Sequence, residues 1–132
     1  MSLSKYERAR RKSALKAVER GVAVLDARMP TWFKKITLKT LDLADGCNCI
    51  AGQLALRSRA AIVVQELRDG YSGYASFTQY LARSENYYSL EWNNEHGFTV
   101  MDAEHSFKDL DREWARVIRR KLREAEAAQV TS

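Results

Sequence analysis

Asp45-Gly46-Cys47-Asn48-Cys49-Ile50-Ala51-Gly52-Gln53-Leu54-Ala55-Leu56 runs on through Arg57, Ser58 and Arg59 into Ala60-Ala61-Ile62-Val63-Val64-Gln65-Glu66-Leu67. Wound as a helix, Ile50, Leu54, Ala61 and Val64 share one face, while Leu56, Val63 and Leu67 point roughly the opposite way and Ile62 fills the flank. A helix that is apolar on every side belongs in an interior. Residues 48–68 are therefore expected as a central buried helix, with Asp45 or Asn48 as its cap. The β-branched run Ile62-Val63-Val64 keeps a strand open as the alternative.

Upstream of this stretch, Ser4-Lys5-Tyr6-Glu7 has the spacing of a capping box and starts a first helix. Leu15, Val18, Val22, Leu25 and Met29 recur at three- and four-residue steps on it. Pro30 ends it, because the residue before a proline is pushed out of helical geometry. Thr31 is expected to cap one short turn carrying Trp32 and Ile36, and residues 37–43 read as an extended connector whose Leu38, Leu41 and Leu43 plug the core.

Downstream, Asp69-Gly70-Tyr71-Ser72-Gly73 reads as a turn. Tyr74, Phe77, Tyr80 and Leu81 fit a short helix ending near Ser84, and Asn93-Asn94-Glu95-His96-Gly97 reads as a loop. Phe107, Leu110, Trp114, Val117, Ile118 and Leu122 mark the apolar side of a last helix over about 106–126, with Ser106 and Asp109 as its cap. The sum is an all-α fold: one compact domain of four or five helices, the first and last packed across the central one. Residues 1–12 form a basic arm continuous with the first helix, 13–128 the helical domain and 129–132 a tail.

Composition agrees with that outline. The chain has 132 residues, 45% of them hydrophobic, and a single proline, which suits one packed domain and not a disordered segment. Its longest apolar run, Ala60–Val64, is far short of a membrane span. The N-terminus is polar and basic, unlike a secretory signal. Two cysteines without an export signal point to free thiols in a reducing compartment, so the cytoplasm is the expected location. Residues 1–20 hold seven basic side chains and two acidic ones, which accounts for the whole net charge of +5. The basic character belongs to one arm.

Three short runs carry a family resemblance. They are Leu25-Asp26-Ala27-Arg28-Met29-Pro30-Thr31-Trp32-Phe33, Ile36-Thr37-Leu38-Lys39-Thr40-Leu41-Asp42-Leu43, and Cys47-Asn48-Cys49-Ile50-Ala51-Gly52-Gln53-Leu54. Together they resemble a family of small phage proteins of actinobacteria, above all of mycobacteriophages. Its motif runs Leu-Asp-x-x-x-Pro-x-Trp, Ile-x-Leu-x-x-Leu-Asp, then Cys-Val/Ile-x-Gly-Gln-Leu. The resemblance covers roughly residues 21–56, and Gly97-Phe98 matches a later step. Ala55-Leu56 stands where the family often has an aromatic. The resemblance implies a phage-encoded accessory protein inside the bacterial host, and no particular activity.

Two surfaces are candidates for contact. Residues 71–98 hold eight of the thirteen aromatics, set among Ser, Gly and Asn, a mixture that suits a protein-binding surface as well as a core. Tyr87, Tyr88, Trp92, Asn93 and His96 are the residues expected to meet a host or phage protein. The second candidate is the arm, where Lys5, Arg8, Arg10, Arg11 and Lys12 suit nucleic acid, an acidic protein face or ribosomal RNA. Its bland reading is a solvated helix end. A homodimer is compatible with either surface.

Chemistry is thinly represented. Cys47, Cys49, His96 and His105 are the only cysteines and histidines. Structural zinc prefers two to four residues between paired cysteines, and side chains two apart on a helix diverge by about 200°. No phosphate-cradling glycine loop, serine elbow or paired histidines on one helical face is present. The expectation is a protein with no catalytic residues, no metal and no cofactor.

Overall fold

A computed structural model describes residues 3–57, 73–82, 89–101 and 105–131. Within these the fold is helical, with no strand among the described residues. Five α-helices are found among the described residues: α1 (Lys5–Arg28), α2 (Ile50–Arg57), α3 (Gly73–Ala82), α4 (Leu90–Glu95) and α5 (Phe107–Thr131). Two 3-10 turns, Trp32–Lys35 and Leu38–Thr40, fill the link between α1 and α2. One continuous cluster of buried side chains joins all of these elements, so the chain is a single compact domain.

The α1 boundaries follow from its caps. Ser4 Oγ accepts the Glu7 N–H at 3.1 Å, and the Met29 N–H closes on the Leu25 carbonyl just before Pro30. Of the apolar stripe, Val18 and Leu25 are fully buried, while Leu15, Val22 and Met29 are half-buried. The face in closest contact is centred instead on Ala14, Ala17, Val18 and Gly21. Small residues are needed there because neighbouring backbone comes close. A Cβ on Gly21 would strike the His96 carbonyl and lie 2.9 Å from Trp114 Cζ2, and Gly97, at φ +74°, sits against the Val18 backbone.

The two long helices run parallel. Arg10 lies by Asp109, Gly21 by Trp114 and Asp26 by Lys121, so sequence numbers rise together along the seam. At their centre, Trp32 and Trp114 meet edge to face at 5.6 Å. The Trp114 Nε1–H donates to the Gly97 carbonyl at 2.7 Å, and Trp32 Nε1–H donates to Asp26 Oδ1 at 2.8 Å.

The segment expected as the central helix is described only to Arg57; residues 58–68, with the Ile62-Val63-Val64 run, lie outside the described residues. In the described part every residue from Ile50 to Ala55 is buried, as an all-round apolar helix requires. Its cap is neither Asp45 nor Asn48. The Cys49 sulfur takes that place, accepting the Gly52 N–H at 3.2 Å, while Asp45 closes the preceding turn through the Cys47 N–H and the Asn48 amide. Among the described residues α2 packs chiefly on α3 and on the Trp32 turn, whereas α1 and α5 pack mainly on each other.

Other details depart from expectation. Thr31 caps nothing by its side chain, and the supposed extended connector contains the Leu38–Thr40 turn. Leu43 is buried there, with Leu38 and Leu41 partly so. Gln53 pins this link to α2: its side chain accepts the Thr37 N–H (2.6 Å) and donates to the Thr37 and Asn48 carbonyls. Residues 90–95, expected partly as loop, form α4 because Ser89 Oγ caps it on the Trp92 N–H. The expected turn at 69–73 lies almost wholly, and the helix end near Ser84 entirely, outside the described residues. The last helix starts as expected, with Ser106 and Asp109 bonded reciprocally, and continues to Thr131, beyond the expected end near 126.

Candidate nucleic-acid interface

The basic arm is a well-formed part of α1. Its burial begins only at Ala14, so residues 5–12 project past the core with their side chains in solvent or half so. At 100° per residue, Lys5, Arg8, Lys12, Lys16 and Arg20 fall within about 120° of arc, opposite the buried face. All five are exposed. They mark a stripe about 22 Å long. No described acid lies within ion-pair distance of any of them. Glu19 lies inside the same arc, and is the one acidic residue that interrupts it.

This geometry divides the five residues expected from sequence. Lys5, Arg8 and Lys12 belong to the stripe. Arg10 turns toward α5 and faces Asp109 at 4.0 Å, and Arg11 lies on the side that continues the apolar face. Lys16 and Arg20 were missed by a reading that stopped the arm at residue 12. The four-residue steps Arg8, Lys12, Lys16, Arg20 were the signal that would have included them. Tyr6, 82% exposed, stands beside the stripe.

Between these cations an open groove of about 550 Å³ is lined by Ala9, Lys12, Ser13, Lys16 and Arg20. The two small residues make its floor and the long cations its rim. The Arg20 guanidinium donates to the Glu95 carbonyl at 3.1 Å, which fixes it against the end of α4. The Ser13 hydroxyl lies 3.0 Å from Nδ1 of His105, a residue that is buried on the far side.

The aromatic candidate surface is differently disposed. Trp92 stacks on His96 at 4.0 Å and on Phe98 at 5.9 Å, and Phe98 stacks on Trp114 at 5.5 Å. Trp92 and His96 are thus the half-buried outer end of an aromatic row that reaches the core. Asn93 is only 1% exposed, and its amide donates to the Ser89 carbonyl. Its side chain serves the interior and is not available to a partner, which removes it from the expected contact set. Tyr87 and Tyr88 lie outside the described residues. Leu90 (44% exposed) and Met101 (45%) are exposed apolar side chains on the same segment.

The thiols and imidazoles stand apart in their bonding. Burial pushes the Cys49 thiol up to about 11, against the bond from the Gly52 N–H, so it stays protonated at neutral pH. Cys47 is exposed. His96 Nδ1 lies 2.8 Å from the Trp92 carbonyl, while His105 is bonded to Ser13. Among the described residues no three groups of metal-ligating type come together. Ser13 and His105 touch as a hydroxyl and an imidazole, and Nε2 of His105 has no hydrogen-bond partner among the described residues. No described helix is long and apolar enough to cross a membrane.

Compared with protein-family models, with curated proteins and with solved structures, the chain finds no match in any of the three.

Proposed function

We propose that the chain is a phage-encoded, non-enzymatic accessory protein of the bacterial cytoplasm that works by binding, and that its partner is nucleic acid. The observation carrying this reading is the α1 stripe: five exposed cations in register, on a rigid helix, with no described acid to neutralise them. Exposed cations with no described carboxylate beside them release condensed counterions when they meet phosphates, and that release drives binding. The phage origin rests on the motif resemblance over residues 21–56. The non-enzymatic reading is supported by a buried, protonated Cys49 and by a His105 imidazole with no orienting group among the described residues.

Fluorescence anisotropy with labelled duplex DNA, single-stranded DNA and RNA tests it. Affinity falls steeply with salt, with a log–log slope no steeper than about −4.5 if all five stripe cations contact phosphates. Removing residues 1–12 weakens binding and flattens that slope. Binding indifferent to salt, or unchanged without the arm, refutes the reading.

A second reading, contact with a host or phage protein, is favoured by one observation. Exposed Leu90 and Met101 flank half-buried Trp92 and His96 on one segment. Copurification from host lysate after nuclease treatment separates the two. A partner lost with the nucleic acid supports the first; one retained with it, and released by Leu90→Asp, supports the second.

A further inference from the structure

We propose that the groove at Ser13 is a seat for one phosphate of the nucleic-acid backbone, with the buried His105 ring turning the Ser13 hydroxyl proton toward it. The inference rests on the stripe reading and goes further, since it assigns a geometry-dependent hydrogen bond where that reading needs only charge.

The argument starts from hydrogen-bond accounting at His105. The ring is 3% exposed; Nδ1 is 3.0 Å from Ser13 Oγ, and Nε2 is buried with no partner among the described residues. A neutral imidazole carries one N–H and one bare nitrogen. With the proton on Nε2, a buried N–H would have no acceptor, and Ser13 would spend its only proton inward on Nδ1. With the proton on Nδ1, that N–H is satisfied by a Ser13 lone pair, and the orphan becomes an acceptor. Buried donors without partners are rarer than buried under-satisfied acceptors. The second tautomer therefore wins, and it leaves the Ser13 proton free.

Ser13 also lines the groove, which offers that proton room for an acceptor. Ser13 is one of the two small residues on its floor, between Lys12 and Lys16 on the rim. Arg20 is held on the Glu95 carbonyl, so one cation is fixed before any ligand arrives. A tetrahedral anion with several acceptor oxygens can take the hydroxyl and the cations together. The exposed carboxylates of Glu19 and Glu95 lie on residues beside the rim and disfavour a second anion close by. One seat, not a run of equivalent ones, is the result.

The test compares the unaltered chain with Ser13→Ala, Ser13→Thr and Lys16→Gln by anisotropy over a salt series, using whichever oligonucleotide the unaltered chain binds. Ser13→Ala is expected to weaken binding about tenfold with the salt slope unchanged, as loss of a neutral donor to a charged group does. Ser13→Thr, which keeps the hydroxyl, retains most of the affinity. Lys16→Gln lowers both affinity and slope, the latter by about one. Nitrogen-15 NMR of the His105 ring is expected to show the proton on Nδ1. If Ser13→Ala binds as the unaltered chain does, or if the proton sits on Nε2, the seat is overturned while the stripe stands. If the unaltered chain binds no nucleic acid, both fall.

Discussion

Replacing Gly21 with alanine tests the packing that holds α1 in place. In an exposed helix interior this change stabilises by about 1 kcal/mol. Here the added methyl would strike the His96 carbonyl, which is backbone, and lie 2.9 and 3.0 Å from two atoms of the Trp114 ring. Neither can yield cheaply, since Trp114 is fully buried and tied by its Nε1–H to the Gly97 carbonyl at 2.7 Å. Overpacking of this kind costs about 2 kcal/mol. Straining the buried Trp114 bond adds about 1 kcal/mol. After the helix gain the net loss is about 2 kcal/mol, or a midpoint about 8 °C lower for a domain of this size. Urea titration followed by tryptophan fluorescence reads it directly, with an unchanged slope showing that the folded state keeps its compactness. Gly46→Ala is the control, because a Cβ there meets nothing within 4 Å, and it should shift stability by less than about 0.5 kcal/mol. A Gly21→Ala protein as stable as the parent, or more so, would show that the long helices do not approach as described.

Three further outcomes are expected. Gln53→Leu removes three hydrogen bonds between α2 and the link before it and should cost about 3 kcal/mol, measured by the same titration. Asp111 has its carboxyl raised by burial, against the bond from the Leu43 N–H and with the Asp42 charge adding to the rise. A carboxyl raised on folding binds its proton more readily in the folded state, so stability is withdrawn as pH rises through the folded pKa and returned as pH falls. Asp111→Asn, which keeps an acceptor for Leu43, should therefore raise the melting midpoint at pH 7 and lose that advantage near pH 3. With a thiol reagent, exposed Cys47 should react at once and Cys49 only as the fold opens, giving two phases of one thiol each. Two fast thiols would contradict the burial of Cys49.

Fold class could be read from the sequence because local signals agreed with the tertiary solution at both long helices. Ser4 with Glu7 and Ser106 with Asp109 both form the caps their spacing announces. The signals weakened where chemistry was shared with distant partners. Cys49 caps α2, although sulfur is a poor and rare acceptor, so propensity pointed to Asp45 or Asn48. Asn93 has the look of a loop residue, but its amide is turned inward onto Ser89. The apolar stripe of α1 located its buried side only roughly, because the closest contact uses Ala14, Ala17 and Gly21, whose small side chains carry little hydropathic signal. The arm was visible as charge and its four-residue steps extend to Lys16 and Arg20, yet setting Arg10 apart on a flank needed the position of α5.

How strongly a basic stretch attracts a polyanion follows from where the acids lie. On the last helix Arg112 pairs with Asp109 at 3.2 Å, Arg116 with Glu113 at 3.0 Å, Lys121 with Asp26 at 3.0 Å and Arg120 with Glu124 at 3.7 Å, which leaves exposed Arg119 and Arg123 outside the described ion pairs. Those pairs are weak as stabilising contacts in solvent, yet each supplies a carboxylate that repels an approaching phosphate. Along the α1 stripe Glu19 lies inside the arc and Glu95 beside its far end, where the stripe meets α4. The parallel course of the two long helices sets α5 on one flank of α1 and leaves the opposite, basic flank open over its first four turns. A helix packed on both flanks would have buried Lys12 and Lys16, at a desolvation cost that lysine rarely meets. The packing that excludes the stripe from the core is therefore the same packing that presents it to a polyanion.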